Sequence, residues 1–431
     1  MPSTLSKVSH APEKNIEEIR NGQKNYILSS VYLHLITFSI CIQPRIQLSL
    51  QHLNNNSVLY AQNNGYNMFI SSIGQLILVP IYTALSLSYG RKPLMTFGAG
   101  VAFLVRLIEY ARPSYNIINS TTFTGMFTYA VMSGSTLMIS DLYDKNPRRA
   151  AIELSKVKMG YILATVLSPI PSSFLANYSP RLSFLISSIL CFINLIHINY
   201  NLKETLDEKK KKPLNKSLKL RKINPLSFLE LFYHGKRLVC LTLMESLAFL
   251  TKTSSSNRLI SLLQRDYFSI NNNNNNNNGG SWDLIQQSYL DTFTNILRIP
   301  GYFKSKDLFA KIGLKNSMYL GNSISIISLF IQRYTISPLY HYFVALFNSF
   351  NGIGIVGINA MLRIEAKEVG IKNDDLQMYL SNLTRLIMAF SQIFLPRLYQ
   401  FSSINTNDVR NYYLLIMIVP LLNNAFGKFC L

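Results

Sequence analysis

Ionisable residues interrupt the apolar runs of this chain, and six of them could do chemistry: Arg45, Glu245, Lys252, Asp291, Arg298 and Arg385. A charge inside a hydrocarbon layer costs roughly 2.5–3.5 kcal/mol on insertion scales, so each is a candidate for holding a polar solute or carrying a proton. Glu245 is flanked by Leu243, Met244, Ser246 and Leu247; it suits proton uptake, or it reaches back to pair with Lys236 or Arg237. Asp291 and Arg298 are seven apart, hence on one helix face two turns apart. They could bind a zwitterion or form a structural set with Lys252 or Arg385. Gln43-Pro44-Arg45 reads as a broken-helix solute site or as a plain proline kink. Arg106 and Glu109, three apart, form a local ion pair on this reading. Asn348, Asn351 and Asn359 accompany Gly352, Gly354 and Gly357, a pattern that serves either a polar pathway or close helix packing. Phosphate loops, nucleophile triads and histidine clusters do not occur, so neither an enzyme nor a cofactor or metal is expected.

Positioning such residues requires membrane helices. The 431 residues are 48% hydrophobic and only 15% charged, against roughly 25% charged in soluble domains. A span needs about 20 mainly apolar residues. Twelve runs meet or approach this: 26–46, 68–87, 94–110, 122–139, 159–175, 182–198, 238–253, 284–303, 317–331, 339–361, 376–395 and 412–426. The expected architecture is an all-α membrane protein with twelve transmembrane helices in two pseudo-symmetric six-helix bundles. Its parts are a cytosolic tail at 1–25, a bundle at 26–200, a cytosolic central loop at 201–237 and a second bundle at 238–431. The second bundle carries an Asn-rich outside loop at 264–282.

The net charge of +21 is a matter of topology rather than of nucleic acid, because the basic residues stand in short blocks between apolar runs. With both termini cytosolic, thirty Lys and Arg fall on the cytosolic side and seven outside. Sequons at Asn55 and Asn177 then lie outside, as does the polar run from Asn271 to Asn278. The first 25 residues lack a cleavable apolar leader, which leaves the first span as an uncleaved anchor. Lys209–Lys212 read as an anionic-lipid clamp or, more simply, as the positive-inside anchor of the central loop. Leu226, Phe228, Leu229 and Phe232 suggest a short amphipathic helix on the membrane surface. The four cysteines show no metal spacing, and no disulfide framework is expected.

Gly90-Arg91-Lys92 joins two apolar runs through a joint so short that it must be a tight reversal, and Lys311-Ile312-Gly313-Leu314-Lys315 repeats it in the second half. The chain therefore resembles the major facilitator superfamily over nearly all its length. Ile139-Ser140-Asp141-Leu142-Tyr143 with Arg148-Arg149 is similar to that family's acidic-then-basic segment. Ala164-Thr165-Val166-Leu167-Ser168-Pro169 is similar to the bend of its antiporter branch, with Pro169 at the bend. Residues 202–226 and the Gly313 turn resemble the tetracycline-efflux-like and hippocampus-abundant-transcript-like group. The family's loop motif carries a glycine and an aspartate where this chain has Thr83 and Leu87.

The resemblance implies a cytosolic gate built on Gly90, Arg91, Lys92, Asp141, Arg148, Arg149 and Gly313. It also implies a secondary active transporter, proton-coupled and working by alternating access. Such a protein moves a small organic solute across a bilayer, here as a monomer in the plasma or an endo-lysosomal membrane. The alternative, favoured by the missing aspartate, is a non-transporting membrane scaffold or sensor that retains the fold.

Overall fold

The computed structural model describes residues 13–143, 153, 156–157, 163–164, 166–214, 224–256, 284–334, 338–348, 350–371, 373–405 and 410–430. Every regular element among them is helical. Five helices are long and apolar enough to cross a membrane: Arg20–His52, Ser57–Tyr89, Arg91–Ala111, Pro180–Asn201 and Asn411–Phe429. The remaining apolar runs of the sequence sit on helices that are broken, merged or more polar. Run 122–139 is shared among Tyr115–Thr122, Gly125–Thr128 and Ala130–Leu142; runs 284–303 and 317–331 lie on one helical stretch, Leu284–Tyr334, interrupted at Gly313. Run 159–175 is described only in part. The chain divides into two compact units, Met1–His52 with Gly74–Pro225 and Leu53–Ile73 with Leu226–Leu431.

The first unit turns its polar residues inward and its apolar ones outward. Ser172, Ser173, Ser183, Ser187 and Glu109 are wholly buried, whereas Leu104, Leu107, Ile108, Ile189, Phe192 and Ile193 are exposed. Water would penalise such a surface; lipid does not. The first helix breaks at Cys41, between Glu13–Ile40 and Ile42–His52. Pro44 has no N–H, so the Ile40 carbonyl four residues earlier loses its intrahelical donor. The Ser172 hydroxyl supplies one at 2.7 Å, and its oxygen accepts from the Gln43 N–H at 3.2 Å. In a bilayer an orphaned carbonyl would find no water, and this serine is what makes the break tolerable. Gly98 and Gly134 set how closely Arg91–Ala111 meets Ala130–Leu142. A Cβ at Gly98 would lie 2.8 Å from the Val131 backbone nitrogen, and one at Gly134 2.5 Å from Met95 Cγ.

The second unit is welded by glycines and aromatics. A Cβ at Gly357 would stand 3.0 Å from the Leu314 carbonyl oxygen, and one at Gly354 3.3 Å from Gly321 Cα, so helix Asn351–Glu368 lies nearly backbone to backbone on the stretch after Gly313. Gly65 does the same at the Pro396 kink, where its Cβ would meet the Gln392 carbonyl oxygen at 2.3 Å. Beside that contact Tyr399, Tyr412 and Tyr413 pack edge to face in a buried cluster, with the Tyr399 hydroxyl 3.2 Å from Ser57 Oγ.

Two expectations change here. The segment Ser227–Phe232 is a 3-10 helix, where an amphipathic helix was expected: Phe228 and Leu231 are buried against Leu376 and Leu380, Asn382 donates to Ser227 at 3.0 Å, and Leu226 and Leu229 are exposed. Cys240 is disulfide-bonded, where no disulfide was expected. Helix Lys236–Ser256 runs beside the last helix, with Cys240 Sγ 3.9 Å from the Phe426 carbonyl oxygen, a neighbourhood that sequence spacing hides. Cys41 and Cys191 are free and buried.

Candidate functional site

Gly90 carries φ 111° and ψ 165°, a backbone region that only glycine enters freely, and it ends one helix and starts the next without a spacer. The N-terminus of helix Arg91–Ala111 therefore points its free N–H groups at whatever lies in front of it. What lies there is Glu204, from the start of the central connector. Its Oε1 accepts from the Arg91 N–H at 2.9 Å and its Oε2 from the Lys92 N–H at 3.1 Å. The Arg91 side chain, almost fully buried, turns the other way and donates from Nε to Asp141 Oδ2 at 3.0 Å and from Nη1 to Ser86 Oγ. Thr205 adds a hydroxyl contact to the same Asp141 oxygen at 3.4 Å, and Lys92 Nζ donates to the Asn199 carbonyl at 2.7 Å. Of the expected gate residues, Gly90, Arg91, Lys92 and Asp141 are thus brought together. Arg148 and Arg149 lie outside the described residues.

Gly313 has φ 79° and ψ 164°, close to Gly90, so the two halves share the turn's backbone geometry. Its surroundings differ: a Cβ there would meet nothing among the described residues within 4 Å, and Lys311 and Lys315 are exposed. Pro169 stands at the first position of helix Pro169–Tyr178, directly after a bend at Ser168.

A second cluster lies in the interior of the first unit. Glu109 accepts from Arg106 at 2.7 Å, from Thr121 Oγ1 at 2.5 Å and from Arg45 Nη2. Arg45 therefore belongs with Arg106 and Glu109 in a buried charge set, two guanidiniums on one carboxylate. Arg45 stands on helix Ile42–His52, just after the break at Cys41, and a local reading of the sequence pairs only Arg106 with Glu109.

The third cluster is in the second unit. Glu245 is buried on helix Lys236–Ser256, and its Oε1 accepts from Asn359 Nδ2 at 2.8 Å. Asn359 in turn accepts through Oδ1 from Arg363 Nε at 3.0 Å, one turn along the same helix. A buried carboxylate is thereby linked through a neutral amide to an exposed guanidinium. Arg385 is buried on helix Asn373–Asn405. The side chains of Lys252, Asp291 and Arg298 lie outside those described. Sequence reasoning missed Glu204, Ser172, Thr121 and Arg363 as partners. Each is joined to its cluster by folding or by an amide relay, with no spacing signal to mark it.

No group of three or more His, Cys, Asp or Glu that could hold a metal occurs among the described residues. Apolar surfaces, buried serines and a basic glycine turn define an integral, multi-pass, all-α membrane protein. The chain belongs to the Major Facilitator Superfamily, whose model matches residues 48–400, and it is thereby a membrane transporter rather than an enzyme. Solved structures agree on the fold. The human organic anion transporter MFSD10 (TETRAN) is similar at a TM-score of 0.65 and 15% identity, covering 95% of this chain and 99% of that one. The nucleoside transporter NupG gives a TM-score of 0.68 at 11% identity over 95% and 98%. A POT family transporter in complex with 5-aminolevulinic acid gives 0.62 at 12% over 94% and 96%. Comparison with curated protein sequences gives no match.

Proposed function

We propose that this chain is a secondary active transporter that moves a small organic solute against its gradient by taking up protons, with Glu245 as the proton-carrying carboxylate. The observation that carries the reading is the placement of Glu245: buried, and bonded by the neutral Asn359 amide, which can stay in place whether or not the carboxyl is ionised. Glu109 is a poorer candidate, because Arg45 and Arg106 both pair with it. The named solutes of the similar structures, organic anions, nucleosides and 5-aminolevulinic acid, are all small organic molecules and support that class. Lys252, Asp291, Arg298, Arg385 and Arg45 are the residues we assign to solute contact or charge balance. The thirty-to-seven distribution of Lys and Arg supports cytosolic termini. The network around Gly90, Arg91 and Asp141 supports a gate that operates, against the reading of a scaffold that only retains the fold.

The test is Glu245→Gln, which keeps size and hydrogen bonding and removes the titration. For a solute retained by cells that express the protein, this variant should lose accumulation driven by an imposed proton gradient yet keep solute exchange. Uphill accumulation at the wild-type rate would remove Glu245 from the role and make Asp291 the residue to examine.

A further inference from the structure

The carboxylate of Glu204 has no place in the transport chemistry above, yet it is among the most heavily bonded side chains described. Besides the Arg91 and Lys92 N–H groups, its Oε1 accepts from the N–H of Thr205 and of Leu206, each at 3.0 Å. Four backbone amides from two segments more than a hundred residues apart converge on one carboxylate. Two of them open a helix whose amide dipoles already favour a negative charge. The turn is shaped around it as well, since a Cβ at Gly90 would lie 2.3 Å from Glu204 Oε2.

The rest of the connector's start follows the same course. Gln23 accepts from the Lys203 N–H at 3.0 Å, Leu202 and Leu206 are buried, and Lys212 donates its N–H to the Leu87 carbonyl at 3.1 Å. Residues 202–212 are therefore strapped down along the turn instead of hanging free as a charged loop. The strap positions Lys209, Lys210 and Lys212 with their side chains exposed.

We propose that Glu204 is a positioning residue: a clasp, supplied by the connector, that fixes the basic turn and the strap to each other. It aligns Arg91 for Asp141 by holding the peptide groups on which Arg91 stands. It touches no solute. The claim stands on geometry alone, independent of proton coupling.

Hydrogen exchange of the full-length protein in lipid nanodiscs, followed by mass spectrometry, reads the clasp directly. In Glu204→Gln the peptides that contain the Arg91, Lys92, Thr205 and Leu206 amides should exchange about ten-fold faster. The interior of helix Pro180–Asn201 should keep its protection. Glu204→Asp retains the charge with a shorter reach and should fall between the two; it carries the test should the Gln variant not fold. Exchange at those amides indistinguishable from wild type in Glu204→Gln, or in Glu204→Asp if that variant carries the test, would overturn the proposal. So would an equal loss of protection throughout the helix, which would mark Glu204 as a general stability residue.

Discussion

The two glycine turns have nearly the same backbone and opposite surroundings. At Gly90 a carboxylate caps the following helix, an arginine is buried against an aspartate, and the connector lies across the joint. At Gly313 a Cβ would meet none of the described residues within 4 Å, and the neighbouring lysines are exposed. The duplicated geometry shows that the reversal itself needs only glycine between two helices. The contrast lies in the set of partners recruited to the Gly90 turn, and these come from elsewhere in the chain.

Substitutions at the two turns should differ in cost accordingly. The largest effect is expected from Gly90→Ala, which combines a positive φ with a collision on Glu204; it should destabilise the detergent-purified protein by about 2–3 kcal/mol. Gly313→Ala meets the φ strain without the collision and should cost about 1 kcal/mol. Equal shifts of the thermal midpoint in the two variants would erase the distinction. Arg91→Ala comes next. It strips a buried charged hydrogen bond from Asp141 and should cost about 2 kcal/mol, whereas Lys311→Ala and Lys315→Ala should stay within about 0.5 kcal/mol. A double-mutant cycle of Arg91→Ala with Asp141→Asn isolates the pair, and additivity would show that the two side chains do not act together. The smallest effect is expected from Glu208→Gln. Its pair with Lys211 is largely exposed, so neither the thermal midpoint nor strap protection should move.

The same contrast explains what the sequence could tell. A glycine followed by basic residues between apolar runs is a local signal, and both turns were legible from it, as was the all-helical class; of the twelve expected spans, five coincide with helices long and apolar enough to cross a membrane. Glu204 was not legible, because a glutamate ahead of Asp207, Glu208 and a lysine run looks like one more solvated charge. Its bonds to Arg91 and Lys92 exist only once helix Pro180–Asn201 has brought the connector back to the turn. Arg45 stood out as a charge in an apolar run, but its partner Glu109 lies 64 residues away in sequence, on another helix. Glu245 was legible as a buried acid from its apolar flanks. Its amide partner Asn359 was visible only as one of several asparagines on a glycine-rich helix. The disulfide at Cys240 escaped notice for the same reason as Glu204: helices adjacent in space are remote in sequence.

Proton-driven movement of a small organic solute, the function proposed for this chain, is best checked by an untargeted comparison of the solutes retained by cells with and without the protein, repeated after the proton gradient is collapsed. A restricted set of small organic solutes should differ in level between the two cell populations, and the difference should disappear with the gradient. Identical solute profiles, or a difference that survives the collapse unchanged, would contradict it.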